Sequence, residues 1–417
     1  MQFMKKVATK STETVFPIIR EALKGLNEIN RQNISLDDFL DFKLENKNLR
    51  KTLSHLFLAY FRHRQAIENF LAENLSKINK STSEFLSIAI AHIKYQNGIA
   101  PESAINAWVE FSKKKYSIGF SKLVNAVLRK ALNANELEKV LLPDNVKSHW
   151  EKSFGSEFVE KMTQLYGEYA PFCFRSALNF ALPEEFLTAI RGEAIEVKNS
   201  IFKWYKSENI KELLQSYYLK DGRIYIQDIA TGFATTLLAE YCKKATNLID
   251  LCGAPGGKAI MASEIFDNQI AMTILDKSAK RQKLTEENLK IRNLQAKVLT
   301  ADAAKFESAE KYDIIIADVP CSNSGVFRKR PDALWRLNDR TIAEMAKIQS
   351  EILDNAAWLC ADNGFILYST CSIESCEDGE QVQNFLKRHP QFSLLRENLN
   401  LPNSITDGAY AAILQKK

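Results

Sequence analysis

The sequence predicts three regions: an all-helical front domain over residues 1–140, a small α/β connector over 141–225, and an α/β domain with a doubly wound parallel sheet over 226–417. Three observations carry this. A chain of 417 residues is too long for one core, since a domain holds roughly 100–200 residues. From Thr14 to about Leu132 the apolar residues recur only at helical spacing. After residue 226, short apolar strands alternate with helical stretches.

The front region reads as a helical bundle because Leu53, Phe57, Tyr60, Phe61, Ile67, Phe70 and Leu71 share one helical face and no alternating run interrupts them. Breakers stand where helices should end or begin: Asn97-Gly98 before Pro101, and Pro143-Asp144 after a last strong helix from Phe120 to Leu132. The connector is mixed and aromatic, with Tyr169 to Phe174, a helix near Glu184–Arg191, and an Asp221-Gly222 turn before Arg223 to Ile226. Beyond it, strands are expected at Asn247–Leu251, Ile270–Leu275, Ala296–Thr300, Asp313–Ala317, Gly364–Ser369 and Tyr410–Leu414. Helices are expected at 257–265, 278–292, 341–359 and 378–388.

Composition narrows the class. With 46% hydrophobic and 26% charged residues the chain is a folded protein rather than a disordered one. It holds no apolar run of ~18 residues and its start, MQFMKKVATKSTETVF, lacks a leader-like apolar segment. A soluble cytoplasmic protein is expected, with no membrane and no obligate protein partner. The seven cysteines include no C-x-x-C pair and read as reduced thiols. None of the five histidines has metal-ligand spacing, so core or surface roles are expected for them and no metal. Residues 1–150 carry roughly +8, against about −3 for the rest. That asymmetry suits a polyanion-binding front domain, although surplus lysine, as at Lys113 to Lys115, also serves simply to solvate a helix face.

The run from Leu248 to Lys258 (LIDLCGAPGGK) puts a glycine-rich turn between a buried strand and a helix. In a doubly wound fold, ligands bind at this end of the sheet. Cys252, Gly253, Ala254, Pro255, Gly256, Gly257 and Lys258 are therefore candidate cofactor contacts, for a nucleotide-like ligand. The spacing is not G-x-G-x-x-G, which weakens a dinucleotide reading. Asp276 ends the next strand, where an acid can accept hydrogen bonds from both hydroxyls of a ribose, or can cap the following helix. Asp302, ending the third strand, can reach an adenine amino group or stand as a loop residue.

The next two strands deliver Asp318-Val-Pro-Cys321 and Ser369-Thr-Cys371, so two thiols leave neighbouring strand ends. Cys173, Cys242 and Cys360 are expected to be buried hydrophobes; Cys252 should pack within the turn, and Cys376 should stand exposed at a helix start. Carbon 5 of cytosine is a poor nucleophile, but a thiolate adding to C6 moves electron density onto C5, which then accepts a methyl group from a sulfonium. The C5 proton must afterwards be removed so that the thiolate can leave, and a second group assists as base. Asp318 can bond the N3/N4 edge of the base, orient the cofactor, or both.

These motifs, DLCGAPGGK, ILD, ADAAKF, DVPCSNSGVFRKRPDALW and YSTCS, closely resemble the RsmB/Sun group of RNA 5-methylcytosine methyltransferases. Tyr225 to Asp228 is similar to that group's entry to the catalytic domain, and Gly98 to Asn106 with Lys122 to Arg129 is similar to its NusB-like helical domain. The resemblance implies an all-α NusB-like N-terminal domain, the α/β connector, and a Rossmann-like methyltransferase domain that uses S-adenosylmethionine. It implies RNA as partner, 16S rRNA in particular, at the cytosine conventionally numbered 967. It also implies the division of labour between the thiols: Cys371 as nucleophile and Cys321 as the residue that releases product. Departures are Val319 for alanine, Cys376-Glu377-Asp378 for Glu-Glu-Asn, and Arg175-Ser176-Ala177 for an Arg-x-Asn pattern.

Two rival readings are weaker. A ribose 2′-O-methyltransferase would share the glycine turn but has no use for paired strand-end cysteines. A ribosome-assembly or transcription factor with a degenerate catalytic half would not keep Cys321, Cys371, Asp276 and Lys258 together. Arg328-Lys329-Arg330, directly after the Cys321 loop, is expected to meet phosphate.

Overall fold

The computed structural model describes residues 12–96, 98–198 and 200–417. The chain's start and the Asn97 half of the Asn97-Gly98 turn lie outside the described residues, while Gly98 takes a positive φ of 104°. The described residues form two compact units, one running to Glu168 and including 330–336, the other of 169–329 with 337–417.

The first unit is helical. Thr12–Gln32, Arg50–Asn74, Lys80–Tyr95, Pro101–Lys115 and Ile118–Leu132 are its long helices, followed by Asp144–Phe154 and Ser156–Gly167. Side chains of Asn79 and Ser117 accept backbone N–H groups at two of their starts, satisfying donors that a helix leaves unpaired. The predicted face is the core: Leu53, Phe57, Tyr60, Phe61, Ile67, Phe70 and Leu71 are all buried around Trp108 and Ile88. His92 belongs to this core. Burial lowers its pKa to about 4, and its neutral Nδ1 accepts the Trp108 indole N–H at 3.0 Å. His63, likewise held near 4 chiefly by burial, stacks on Tyr95 at 3.8 Å.

A helix from the far half of the sequence, Pro331–Arg336, completes this unit. The Trp335 indole donates to the Phe61 carbonyl (2.8 Å) and lies under the Arg64 guanidinium. Asp332 accepts the Leu36 N–H and pairs with Arg336, and Arg330 pairs with Asp37. Periodicity could not reveal this, because six residues in a helix show no period.

The second unit holds two sheets. Strands β1 (Phe172–Ser176), β2 (Gly192–Ile195), β3 (Trp204–Ser207) and β4 (Ile224–Ile226) form an antiparallel sheet in the order β2-β3-β1-β4. The expected connector, 141–225, is thus divided: its first two helices, Asp144–Phe154 and Ser156–Gly167, join the front unit, and the rest, with its sheet, joins the catalytic half. Burial explains the second part. Arg175 on β1 is 1% exposed and pairs with Glu264 at 2.8 Å. Gly232 lies so close to Trp204 that a Cβ there would stand 2.2 Å from the indole ring. A charge buried to that degree is tolerated only when paired.

The larger sheet contains β5 (Asn247–Asp250), β6 (Ala271–Asp276), β7 (Lys297–Thr300), β8 (Tyr312–Asp318), β9 (Cys360–Thr370), β10 (Phe392–Asn400) and β11 (Ala409–Lys416). Their order is β10-β11-β9-β8-β5-β6-β7. The five strands from β5 to β9 run parallel, whereas β11 pairs antiparallel with both β9 and β10. The expected strands and helices are all present, with ends moved by a few residues. The sheet is mixed rather than wholly parallel because β10 and β11 form a hairpin at one edge. β10 escaped prediction for a physical reason: as an edge strand it carries Arg396, Glu397 and Asn398 and has no apolar alternation. The helix Ile229–Tyr241 was also not expected; it is rich in small residues, and its Gly232 lies against Trp204. Among the described residues no helix is long and apolar enough to cross a membrane.

Candidate active site

β5 ends at Asp250, and the turn that follows is built by its glycines. A Cβ on Gly253 would stand 2.7 Å from both the Asp250 carboxyl carbon and Ile274, and Gly256 opens the helix Gly257–Ile265 with φ 97°. Both positions need glycine, one for space and one for backbone conformation. The Gly253 N–H donates to the Leu275 carbonyl at 2.8 Å, and Arg281 and Asn288 donate to the carbonyls of Ala254 and Pro255. The Ala254–Pro255 bond is cis. Cys252 packs partly buried in this turn, as expected, and burial raises its thiol far above the usual range.

Asp250 is a residue that sequence reasoning passed over as part of a strand. It is 1% exposed, and neither carboxyl oxygen has a hydrogen-bond partner. Burial, then the nearby Asp318, push its pKa up to about 8, while Lys258 pulls it back. The sign follows directly. The folded pKa exceeds the unfolded one, so Asp250 costs stability increasingly as pH rises from about 4 to about 8. Asp250→Asn is therefore expected to raise the melting temperature of the ligand-free protein. The gain should grow through that range by up to ~1.4 kcal/mol per pH unit, and a pH-independent difference in thermal melts would contradict this account.

Asp276, 4% exposed at the end of β6, accepts the Ser278 N–H at 2.8 Å, so it does cap the turn into the next helix. Its other oxygen stands 3.8 Å from Arg281. Asp302 is exposed and accepts the Ala304 N–H at 3.0 Å, a loop aspartate bonding its own backbone. Lys258 sits away from both acids. Its ammonium meets Asp318 at 2.6 Å, and although burial pulls its pKa down, Asp318 and Asp250 hold it above the usual lysine range.

The chemistry end is set by the register of β8 with β9, in which Asp318 stands opposite Ser369. The Val319 N–H continues that ladder to the Ser369 carbonyl, so the two chains leave the sheet side by side. Cys321 and Cys371 arrive with their sulfurs 3.2 Å apart. Cys321 is buried at 7% exposure, and Cys371 is more open. Hydrogen bonding to Cys371 first, then burial and the charges of Cys371 and Glu377, hold the Cys321 thiol well above its usual range. Asn323, unnoticed in the sequence, sits between the two: its amide donates to the Cys321 carbonyl and its oxygen accepts from Cys371 Sγ at 3.1 Å. Its φ of 61° is one that asparagine tolerates, and the SNSG run was the available signal. Asp318 is fixed by Lys258 and by the Ser369 hydroxyl at 2.8 Å.

The remaining cysteines lie elsewhere. Cys173, Cys242 and Cys360 are buried, with burial raising their thiols to about 11, 12 and 12. Cys376 is half-buried rather than exposed. The basic run is also revised. The Arg328 side chain is 1% exposed and binds the Ser404 and Thr406 carbonyls and Asp407, which withdraws it from phosphate contact. Lys329 pairs with Asp228 and Asp407. Lys113 to Lys115 are exposed.

Comparison with known proteins now bears on this geometry. Residues 236–414 match the family model described as 16S rRNA methyltransferase RsmB/F, and residues 13–133 match the NusB family. Two relatives align nearly end to end. A probable ribosomal RNA small subunit methyltransferase B of Bacillus subtilis is 27% identical, covering 84% of this chain and 82% of its own. A ribosomal RNA small subunit methyltransferase B of Shewanella oneidensis is 28% identical, covering 88% and 89%. The catalytic half thus carries an RsmB/F methyltransferase domain, and the front a NusB domain. Members of the RsmB/F family are S-adenosylmethionine-dependent RNA methyltransferases, and cytosine-5 chemistry fits the pair of thiols. The chain's fold is also that of the solved protein PH0851, at a TM-score of 0.74, 22% identity, and coverage of 99% of this chain and 100% of that one. NSun6 from Pyrococcus horikoshii, solved with SFG, is similar over 66% of this chain and 98% of its own, at a TM-score of 0.57 and 17% identity.

Proposed function

We propose that this protein methylates carbon 5 of a cytosine in 16S rRNA, at the position conventionally numbered 967, through a covalent adduct between Cys371 and C6 of the base. The observation that carries the chemistry is the 3.2 Å approach of two thiols beside Asp318. The choice of RNA rests on the relatives' names, which specify the small ribosomal subunit.

S-adenosylmethionine, when bound, supplies an electrophilic methyl group. The turn fits such a group. Gly253 and Gly256 keep Cβ atoms out of it, and Asp250 leaves two buried carboxyl oxygens unpaired beneath it. Asp276 is assigned the ribose and Asp302 the base. The chain's own part begins with Cys371: its thiolate forms a bond to C6, and the C5–C6 π electrons move to C5, which takes the methyl group. Asp318 faces the N3/N4 edge and balances charge there. Cys321 then removes the C5 proton, the C–H pair re-forms the C5–C6 double bond, and Cys371 leaves as thiolate.

The raised thiol of Cys321 suits this order. While Cys371 is a thiolate beside it, Cys321 stays protonated and its S–H can donate to that thiolate. Once Cys371 is bonded to C6, the largest cause of the shift is gone, so Cys321 can release its own proton to solvent and then, as thiolate, take the one from C5.

Bisulfite mapping of small-subunit rRNA from cells with and without the protein tests the function: a single cytosine should lose protection when the protein is absent, and unchanged protection everywhere would refute the assignment. For the cofactor, Asp276→Ala should weaken S-adenosylmethionine binding by roughly 1–3 kcal/mol. Asp276→Asn, which retains an acceptor for Ser278, should weaken it without lowering the melting temperature. Calorimetric affinities equal to wild type in both would reassign the ribose contact.

A further inference from the structure

The segments that follow the two cysteines meet at one buried carboxylate. Glu377 is fully buried at the end of the short turn Ser375–Glu377. One of its oxygens accepts the Ser322 N–H at 2.9 Å and the Gln349 amide at 3.0 Å. The other accepts both the Ser322 hydroxyl and the Ser372 hydroxyl, the latter at 2.6 Å. The Tyr368 hydroxyl binds the Glu377 carbonyl, and Gln349 also reaches the Pro320 carbonyl. Ser322 directly follows Cys321, and Ser372 directly follows Cys371.

We propose that Glu377 is a positioning residue for the two-thiol chemistry: its carboxylate ties together the peptide segments that follow Cys321 and Cys371 and so fixes the separation of the two sulfurs. The reasoning is geometric. β8 and β9 are in register as far as Asp318 and Ser369; beyond them two backbone bonds join the segments, from the Val319 N–H to the Ser369 carbonyl and from the Gly325 N–H to the Cys371 carbonyl. Past that point each cysteine stands on a loop, and a loop residue keeps an ångström-scale position only if something buried holds it. Ser324 extends the same tie, touching the Ser372 hydroxyl at 3.2 Å and accepting the Ile373 N–H. A carboxylate in this environment is costly to bury, and the four donors around it are what make its presence tolerable. A purely apolar filler would occupy the space and leave the loops held only by Asn323 and the Gly325 backbone bond.

This inference rests on the two-cysteine reading, so its test measures the distance between the thiols independently of methylation. In the full-length protein, the rate at which diamide, a thiol oxidant, converts Cys321 and Cys371 to a disulfide is followed by peptide mass mapping. Glu377→Ala should slow that rate at least about tenfold, as expected for losing more than one hydrogen bond of a tie. It should lower kcat by a similar factor while leaving cofactor affinity unchanged. Glu377→Gln, whose carbonyl can accept from Ser322 and Gln349 while its amide donates to the two serine hydroxyls, should recover the oxidation rate to within about threefold. Should Glu377→Ala fail to fold, Ser372→Ala removes one strand of the tie and should give a smaller slowing in the same direction. Wild-type oxidation in Glu377→Ala, or equal slowing in Glu377→Gln, would overturn the proposal. A wrong assignment of nucleophile would leave these oxidation rates as expected and change only which cysteine is found on RNA.

Discussion

Cys321→Ala should accumulate a covalent protein–RNA adduct, and Cys371→Ala should form none. With Cys371 gone, C5 is never activated and methyl transfer should fall to background. With Cys321 gone, attack and methylation still proceed, but the C5 proton stays and the bond from Cys371 to C6 cannot break. The trapped species should survive denaturing electrophoresis and require both S-adenosylmethionine and the target cytosine. Tryptic mapping should find the nucleotide on the peptide that carries Cys371. The sulfurs are 3.2 Å apart, so position alone does not say which one attacks. What favours Cys371 is its greater exposure beside a buried Cys321. An adduct in Cys371→Ala and none in Cys321→Ala would reverse the two roles. No adduct in either variant, with an active wild type, would remove the covalent route.

Replacement of Asp318 should be nearly as damaging. Asp318→Ala is expected to lower the rate of methylation by about 10²–10⁴, the range associated with losing a positioned acid or base. It should also reduce the adduct formed in a Cys321→Ala background, because charge balance at the base edge is needed for the addition itself. A second consequence falls on the fold. The substitution leaves the Lys258 ammonium, 11% exposed, without its closest partner. Breaking a buried pair costs about 3–5 kcal/mol; the Asp318 side chain is 35% exposed, so a loss nearer 1–2 kcal/mol is expected after solvent screening. Lys258→Met combined with Asp318→Ala should be less destabilising than the sum of the two single changes. A stable Asp318→Ala variant with wild-type turnover would show that this carboxylate serves neither the base nor the lysine.

Much of this is legible in the amino-acid sequence alone. Strong strand and helix periods located every strand of the large sheet except β10, because most of those segments are buried and their apolar residues must repeat with the backbone. The glycine turn was legible because Gly253 and Gly256 have no substitute, one excluding a Cβ beside Asp250 and the other holding a left-handed backbone. The two thiols were legible as a pair because each ends a strand, and strands that alternate with helices deliver their ends to one side of the sheet. Local pattern, in short, determined where elements lie and which residues stand at their tips.

Contacts between segments distant in the chain were not legible. Nothing near Pro331 to Arg336 announces that it completes a helical unit built from residues up to Glu168. Nothing near Arg328 announces that Asp407 and two carbonyls will bury it. Nothing near Lys258 in the cofactor turn announces that its partner is Asp318, sixty residues on. Glu377 looked like one acid in an acidic stretch and became the buried tie between two loops. The physical reason is common to all four. A side chain's charge state and partners depend on what the folded chain packs around it, and desolvation and long-range pairing have no period that a sequence can display.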